Sequence, residues 1–86
     1  MGKLPTQPLS AVPAGRRVRV VALASGRGLQ SRLVSMGLTI GSELRILRGG
    51  AAGPTLVALG ETRLAIGRGM AERIIVSARG ELAGET

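Results

Sequence analysis

The chain has 86 residues with no cysteine, no histidine and no aromatic residue, and its only side-chain carboxylates are five glutamates. That excludes disulfides, thiolate or imidazole metal ligands and the usual nucleophile–base pairs, so neither an enzyme nor a bound cofactor is expected. Twelve Lys and Arg against the five acids give a net charge of +7, which attracts nucleic acid, acidic protein surfaces or anionic headgroups without choosing among them.

Residues 1–8 hold Pro5 and Pro8 and show no periodicity, so they read as a mobile lead. The start MGKLPTQPLS has no apolar stretch of the kind a secretory signal carries, and the longest wholly apolar run, Val20 to Ala24, is far short of the ~20 residues a membrane span needs. A cytoplasmic protein without a membrane span is expected. The domain itself should run from 9 to 77.

Leu9 to Gly15 reads as a turn in which Leu9 and Val12 dip into the core. From Arg16 to Ala24, arginines alternate with valines, which predicts a first strand with one wet face. The loop SGRG, Ser25 to Gly28, precedes a short helix whose apolar stripe is Leu29, Leu33 and Met36, at i, i+4 and i+7. Gly37 then stands where a helix end needs the left-handed conformation, which is nearly free for glycine. Leu38 and Ile40 can tuck back under the helix, and Gly41 makes the next reversal.

Strict alternation resumes in SELRILR, with Leu44 and Ile46 facing inward. GGAAGP is a glycine-rich loop, and TLVAL and RLAIG are two short strands around Gly60, Glu61 and Thr62, the spacing of a tight hairpin. GRGMAER gives one helical turn that buries Met70 and Ala71. IIVS is the last strand, with Ile74 and Val76 inward, and residues 78–86 form a flexible tail. Five short strands, one helix inserted after the first and a helical turn before the last describe a mainly β, strongly bent small barrel.

Candidate chemistry is sparse. Backbone N–H groups of SGRG at the helix start could meet an anion, but the loop lacks the Walker pattern and its lysine. Glu43, Glu61 and Glu72 would have to converge to hold a hard cation, and such a site would be weak and hydrated; no metal site is assigned. Arginines 16, 17, 19, 45, 48, 63, 68 and 73 could combine into a basic face, yet the aromatic platforms that stack single-stranded bases are missing. The same lack removes proline-rich peptide recognition. An aliphatic groove beside the Leu29–Met36 helix is left as a place for a partner's apolar side chains.

The order of these pieces resembles the FeoA family of bacterial ferrous iron uptake. The resemblance is carried by Leu9, Val12-Pro13, Gly15, Val18, Val20, Leu33, Met36-Gly37, Gly41, Pro54, Leu64-Ala65-Ile66, Ala71, Ile74 and Val76, and most specifically by RLVSMGL followed by IGSELRIL, and LAIG followed by MAERIIV. It implies a cytosolic SH3-like barrel that acts by protein contact with the transporter FeoB, through its GTPase-bearing region or its assembly, with no catalytic residue to carry over. The same barrel resembles the C-terminal domain of metal-dependent DtxR-type repressors. Thr55 departs from the family, which usually has an apolar residue after the proline.

On this basis Leu29, Leu33, Met36, Gly37, Gly41 and Ala71 are expected to build the structural motif. Arg32, Ser35 and Leu38 are expected as its exposed, partner-binding neighbours. The alternatives are a basic barrel that binds nucleic acid non-specifically, distinguishable by a steep salt slope, and a module that forms weak homo-oligomers through exposed sheet edges.

Overall fold

Val18 and Val20, Leu44 and Ile46, and Ile74 and Val76 are alternate residues of three strands and are buried in the core. A computed structural model describes residues 5–24, 27–50 and 52–78. Its strands are β1 (Thr6–Pro8), β2 (Arg17–Leu23), β3 (Glu43–Arg48), β4 (Thr55–Leu59), β5 (Thr62–Ile66) and β6 (Ile74–Ser77). Helix α1 (Arg27–Ser35) follows β2, and the one-turn α2 (Arg68–Ala71) precedes β6. A 3-10 turn, Leu9–Ala11, links β1 to the rest.

The six strands form one antiparallel sheet in the order β1-β6-β2-β3-β4-β5. Register shifts between Val20 and Ala22 and between Ile46 and Arg48 bend it, as extra residues on one strand increase local twist. The expected five-stranded barrel is thus a bent sheet of open order with one strand more. The added strand lies in the stretch read as a mobile lead: Thr6, Gln7 and Pro8 pair with Ser77, Val76 and Ile75. Proline is compatible with that position because an edge strand has one side without a ladder to complete. Residues 79–86 of the predicted tail lie outside the described residues.

Leu9, Val12, Val18, Val20, Leu29, Leu33, Leu38, Leu44, Ile46, Val57, Ile66, Ala71, Ile74 and Val76 make a single core. Leu23, Met36, Leu59, Leu64 and Met70 pack around it. With no aromatic to supply area, aliphatic burial carries the domain, each large side chain contributing roughly 1.5–3 kcal/mol.

Two hairpin details fix the register. Leu59 pairs with Thr62, so β4 and β5 are joined by Gly60 and Glu61 alone; Gly60 has φ +62°, the first-position requirement of a II′ turn. The strand expected from Arg63 to Gly67 accordingly sits one residue earlier.

Candidate partner-binding site

Helix α1 ends in a hydrogen-bonded corner. The Gly37 N–H donates to the Val34 carbonyl at 2.9 Å and the Leu38 N–H to the Leu33 carbonyl at 2.7 Å, while Gly37 has φ +92°. These are the paired bonds of a Schellman motif, with Gly37 in the left-handed position. Ser35 Oγ donates to the Arg32 carbonyl at 2.8 Å, and the Thr39 N–H donates to Ser42 Oγ at 3.0 Å. Gly41, at φ +101°, then donates its N–H to the Val20 carbonyl at 2.8 Å, and the Val20 N–H donates to the Ser42 carbonyl at 2.9 Å. The corner is therefore tied to β2 at both of these points.

This geometry corrects two expectations. Leu38 is not an exposed contact residue: it is 1% exposed and part of the core. As the residue after the left-handed glycine it folds back toward the last turn, where the motif places an apolar contact with Leu33. Ile40 does the reverse of what was expected and stands 57% exposed in the turn that follows. Val34, on the outer side of α1, is 52% exposed. Arg32 and Ser35 are exposed as expected. Leu29, Leu33 and Ala71 are buried, and Met36 packs against the core.

Along the first two turns of α1, that helix and α2 border a groove of about 360 Å³ lined by Gly28, Leu29, Arg32, Gly69, Met70 and Arg73. It differs from the aliphatic groove expected between the helix and the barrel: it lies between the two helices and sets two guanidinium groups beside Leu29 and Met70. Of the SGRG loop, Arg27 and Gly28 belong to α1, while Ser25 and Gly26 lie outside the described residues.

The arginines do not merge into one face. Arg19 pairs with Glu43 and Arg68 with Glu72; Arg32 and Arg73 line the α1–α2 groove. Arg17, Arg45 and Arg63 line a different groove, of about 570 Å³, on the outer side of β2–β5 together with Glu43, Leu47 and Glu61. Of the three glutamates weighed for a cation, Glu43 and Glu61 line that groove while Glu72 pairs with Arg68 on α2, and among the described residues no three His, Cys, Asp or Glu side chains come together. Among the same residues no helix is long and apolar enough to cross a membrane.

Comparison with known proteins places these features in a family. The FeoA domain family matches residues 7–78. A protein of Methanocaldococcus jannaschii provisionally named Fe(2+) transport protein A is 41% identical over 69 residues, covering 80% of this chain and 83% of that protein. A crystal structure described as an iron uptake regulatory protein (FeoA) superposes with a TM-score of 0.78 at 37% identity, covering 85% of this chain and 97% of that one. A manganese-dependent transcriptional repressor superposes equally well, TM-score 0.78 at 25% identity, but this chain spans only 44% of it. The domain thus occurs alone and as part of a longer regulator.

Proposed function

The chain belongs to the FeoA domain family, and from that membership we propose that it is a cytosolic accessory protein of ferrous iron uptake that acts by docking on the GTPase-bearing part of the transporter FeoB. It works by contact, without a catalytic group of its own. The docking face is the α1 corner: Arg32 and Ser35, as the sequence suggested, with Val34 and Ile40 taking the place of Leu38.

The observation that carries this reading is the exposure of Val34 and Ile40 on either side of the Schellman turn. Two large aliphatic side chains exposed by about half contribute little to the core, whereas on a rigid corner they form a preorganised contact that loses little entropy on binding. Arg32 beside them adds a planar cation suited to a carboxylate. The groove between α1 and α2 adds Arg73 to Arg32 as a second guanidinium for the partner.

The test is an amide NMR titration of the full chain with the soluble GTPase-bearing domain of the matching FeoB at near-physiological salt, which suppresses chance contacts of a +7 protein. Shifts should cluster between Arg32 and Gly41, and Ile40→Ser together with Arg32→Glu should weaken binding at least tenfold without changing amide dispersion. Undiminished binding by that double variant, or shifts spread evenly and lost with salt, would overturn the assignment of this face.

A further inference from the structure

The outer side of the sheet carries a feature that no strand shows by itself. In register, Arg17 stands opposite Arg45, Arg45 opposite Ala58, and Ala58 opposite Arg63. Three exposed arginines therefore form one row across β2, β3, β4 and β5, with the small Ala58 opening a gap between the second and third. At a strand spacing of ~4.8 Å the row is about 14 Å long. Directly opposed like charges disfavour the folded sheet, and among the described residues no carboxylate pairs with any of the three.

The row has two different borders. Further along β3–β5, about 7 Å away by strand rise, lie Leu47, which is 38% exposed, the half-buried Leu56 with the exposed Arg48 opposite it across the bulge, and the exposed Ala65. At the other border, toward the β4–β5 hairpin, stand Glu43 and Glu61. A polyanion such as RNA or an anionic bilayer would have to cover those two carboxylates, and the face offers bases no aromatic platform.

We propose that this row docks an acidic amphipathic helix of a protein partner. A helix about 10 Å across covers both the arginine row and the aliphatic border. Glutamates or aspartates at i, i+4 and i+8 advance ~12 Å along its axis, close to the length of the row. Each guanidinium can donate a pair of N–H bonds to one carboxylate, and an apolar stripe beside the acids covers Leu47, Leu56 and Ala65. This surface involves none of the residues assigned to the α1 corner, so its test reads different amides.

The experiment titrates the full chain with a synthetic helical peptide of about 18 residues that carries glutamates at i, i+4 and i+8 and leucines on the adjoining stripe. Its glutamine counterpart, phosphatidylcholine–phosphatidylglycerol vesicles and oligothymidylate serve as comparison ligands. The glutamate peptide should shift the amides of Arg17, Arg45, Ala58 and Arg63. Its affinity should fall at least tenfold for the glutamine peptide and for Arg45→Glu, and less for Arg45→Gln, with amide dispersion unchanged. Vesicles or oligothymidylate binding this face as tightly as the peptide, undiminished peptide binding to Arg45→Glu, or no shifts at these amides would each overturn the proposal.

Discussion

Two glycine-bearing corners of this domain solve the same problem, reversing the chain into a strand, in opposite ways. At the end of α1, Gly37 is required by backbone conformation: its φ is +92°, and an added Cβ would reach Leu59 Cδ2 at an ordinary 3.4 Å. Before β4, Gly50 is required by space: its φ is not in the left-handed region, but an added Cβ would collide with Thr55 Oγ1. The first corner also satisfies its backbone groups through paired hydrogen bonds, whereas the second leaves Thr55 Oγ1 buried with no partner among the described residues. A glycine in a sequence thus signals either a dihedral or a neighbour, and only structure tells which.

The largest effect expected from breaking either corner comes from the side chain that the α1 turn folds inward. Leu38→Ala removes a residue 1% exposed, and buried leucine truncations cost about 2–5 kcal/mol. Ile40→Ala, two residues on and 57% exposed, should change stability by no more than ~0.5 kcal/mol. Thermal unfolding followed by far-ultraviolet circular dichroism checks both, since the chain has no Tyr or Trp to report by fluorescence. Similar losses from the two variants would mean that the corner does not bury Leu38 selectively.

Next come the glycines themselves. Gly37→Ala should cost about 1–2 kcal/mol, the penalty of a Cβ in the left-handed region, and Gly50→Ala about 1–3 kcal/mol from overpacking. The two losses should respond differently to a second change. In a Thr55→Ala background, which removes Oγ1, the Gly50→Ala penalty should largely vanish while the Gly37→Ala penalty stays. A double-mutant cycle measures this coupling directly, and equal penalties in both backgrounds would refute the steric account of Gly50.

Smaller, and opposite in sign, is the effect of removing the orphaned hydroxyl. Thr55 is fully buried in β4 and its Oγ1 has no hydrogen-bond partner among the described residues, an arrangement that costs about 1–3 kcal/mol for a buried polar group. Thr55→Val keeps the branched shape that suits a strand and should raise stability by about 1 kcal/mol, which for a domain this size is about 4–8 °C in Tm. A fall in Tm would show that the hydroxyl is hydrogen-bonded in solution.

The sequence made local features legible and long-range ones illegible. Alternation at Leu44 and Ile46 and at Ile74 and Val76 located buried strand faces, and the Leu29–Leu33–Met36 stripe followed by Gly37 located the helix and its end. Strand β1 escaped because Thr6–Pro8 has no pattern of its own; it exists by pairing with β6, some seventy positions away. Leu38 is expected both to tuck back under the helix and to serve as an exposed contact, and its burial supports the first, since an apolar residue directly after a C′ glycine usually packs against the helix's last turn. The arginine row was legible only as composition: its alignment depends on the registers of three strand pairs, one of them shifted by a bulge.

That row gives the smallest stability effect and the clearest contrast of sign. If Arg17, Arg45 and Arg63 are held together for a partner, the free protein bears their repulsion, and relieving it should help folding while harming binding. Arg45 lies directly opposite Arg17 and one strand from Arg63's own neighbour, Ala58, so Arg45→Gln removes the central charge. Cross-strand pairs contribute about 0.2–1 kcal/mol, which sets the expected gain in stability at low salt. The gain should shrink as salt rises and the Debye length falls to about 8 Å at physiological ionic strength. Urea unfolding at two salt concentrations measures it. A loss of stability instead would mean that Arg45 has a folded-state partner and that the row is structural, because a residue kept for binding should cost the unbound fold something, and one kept for the fold should not.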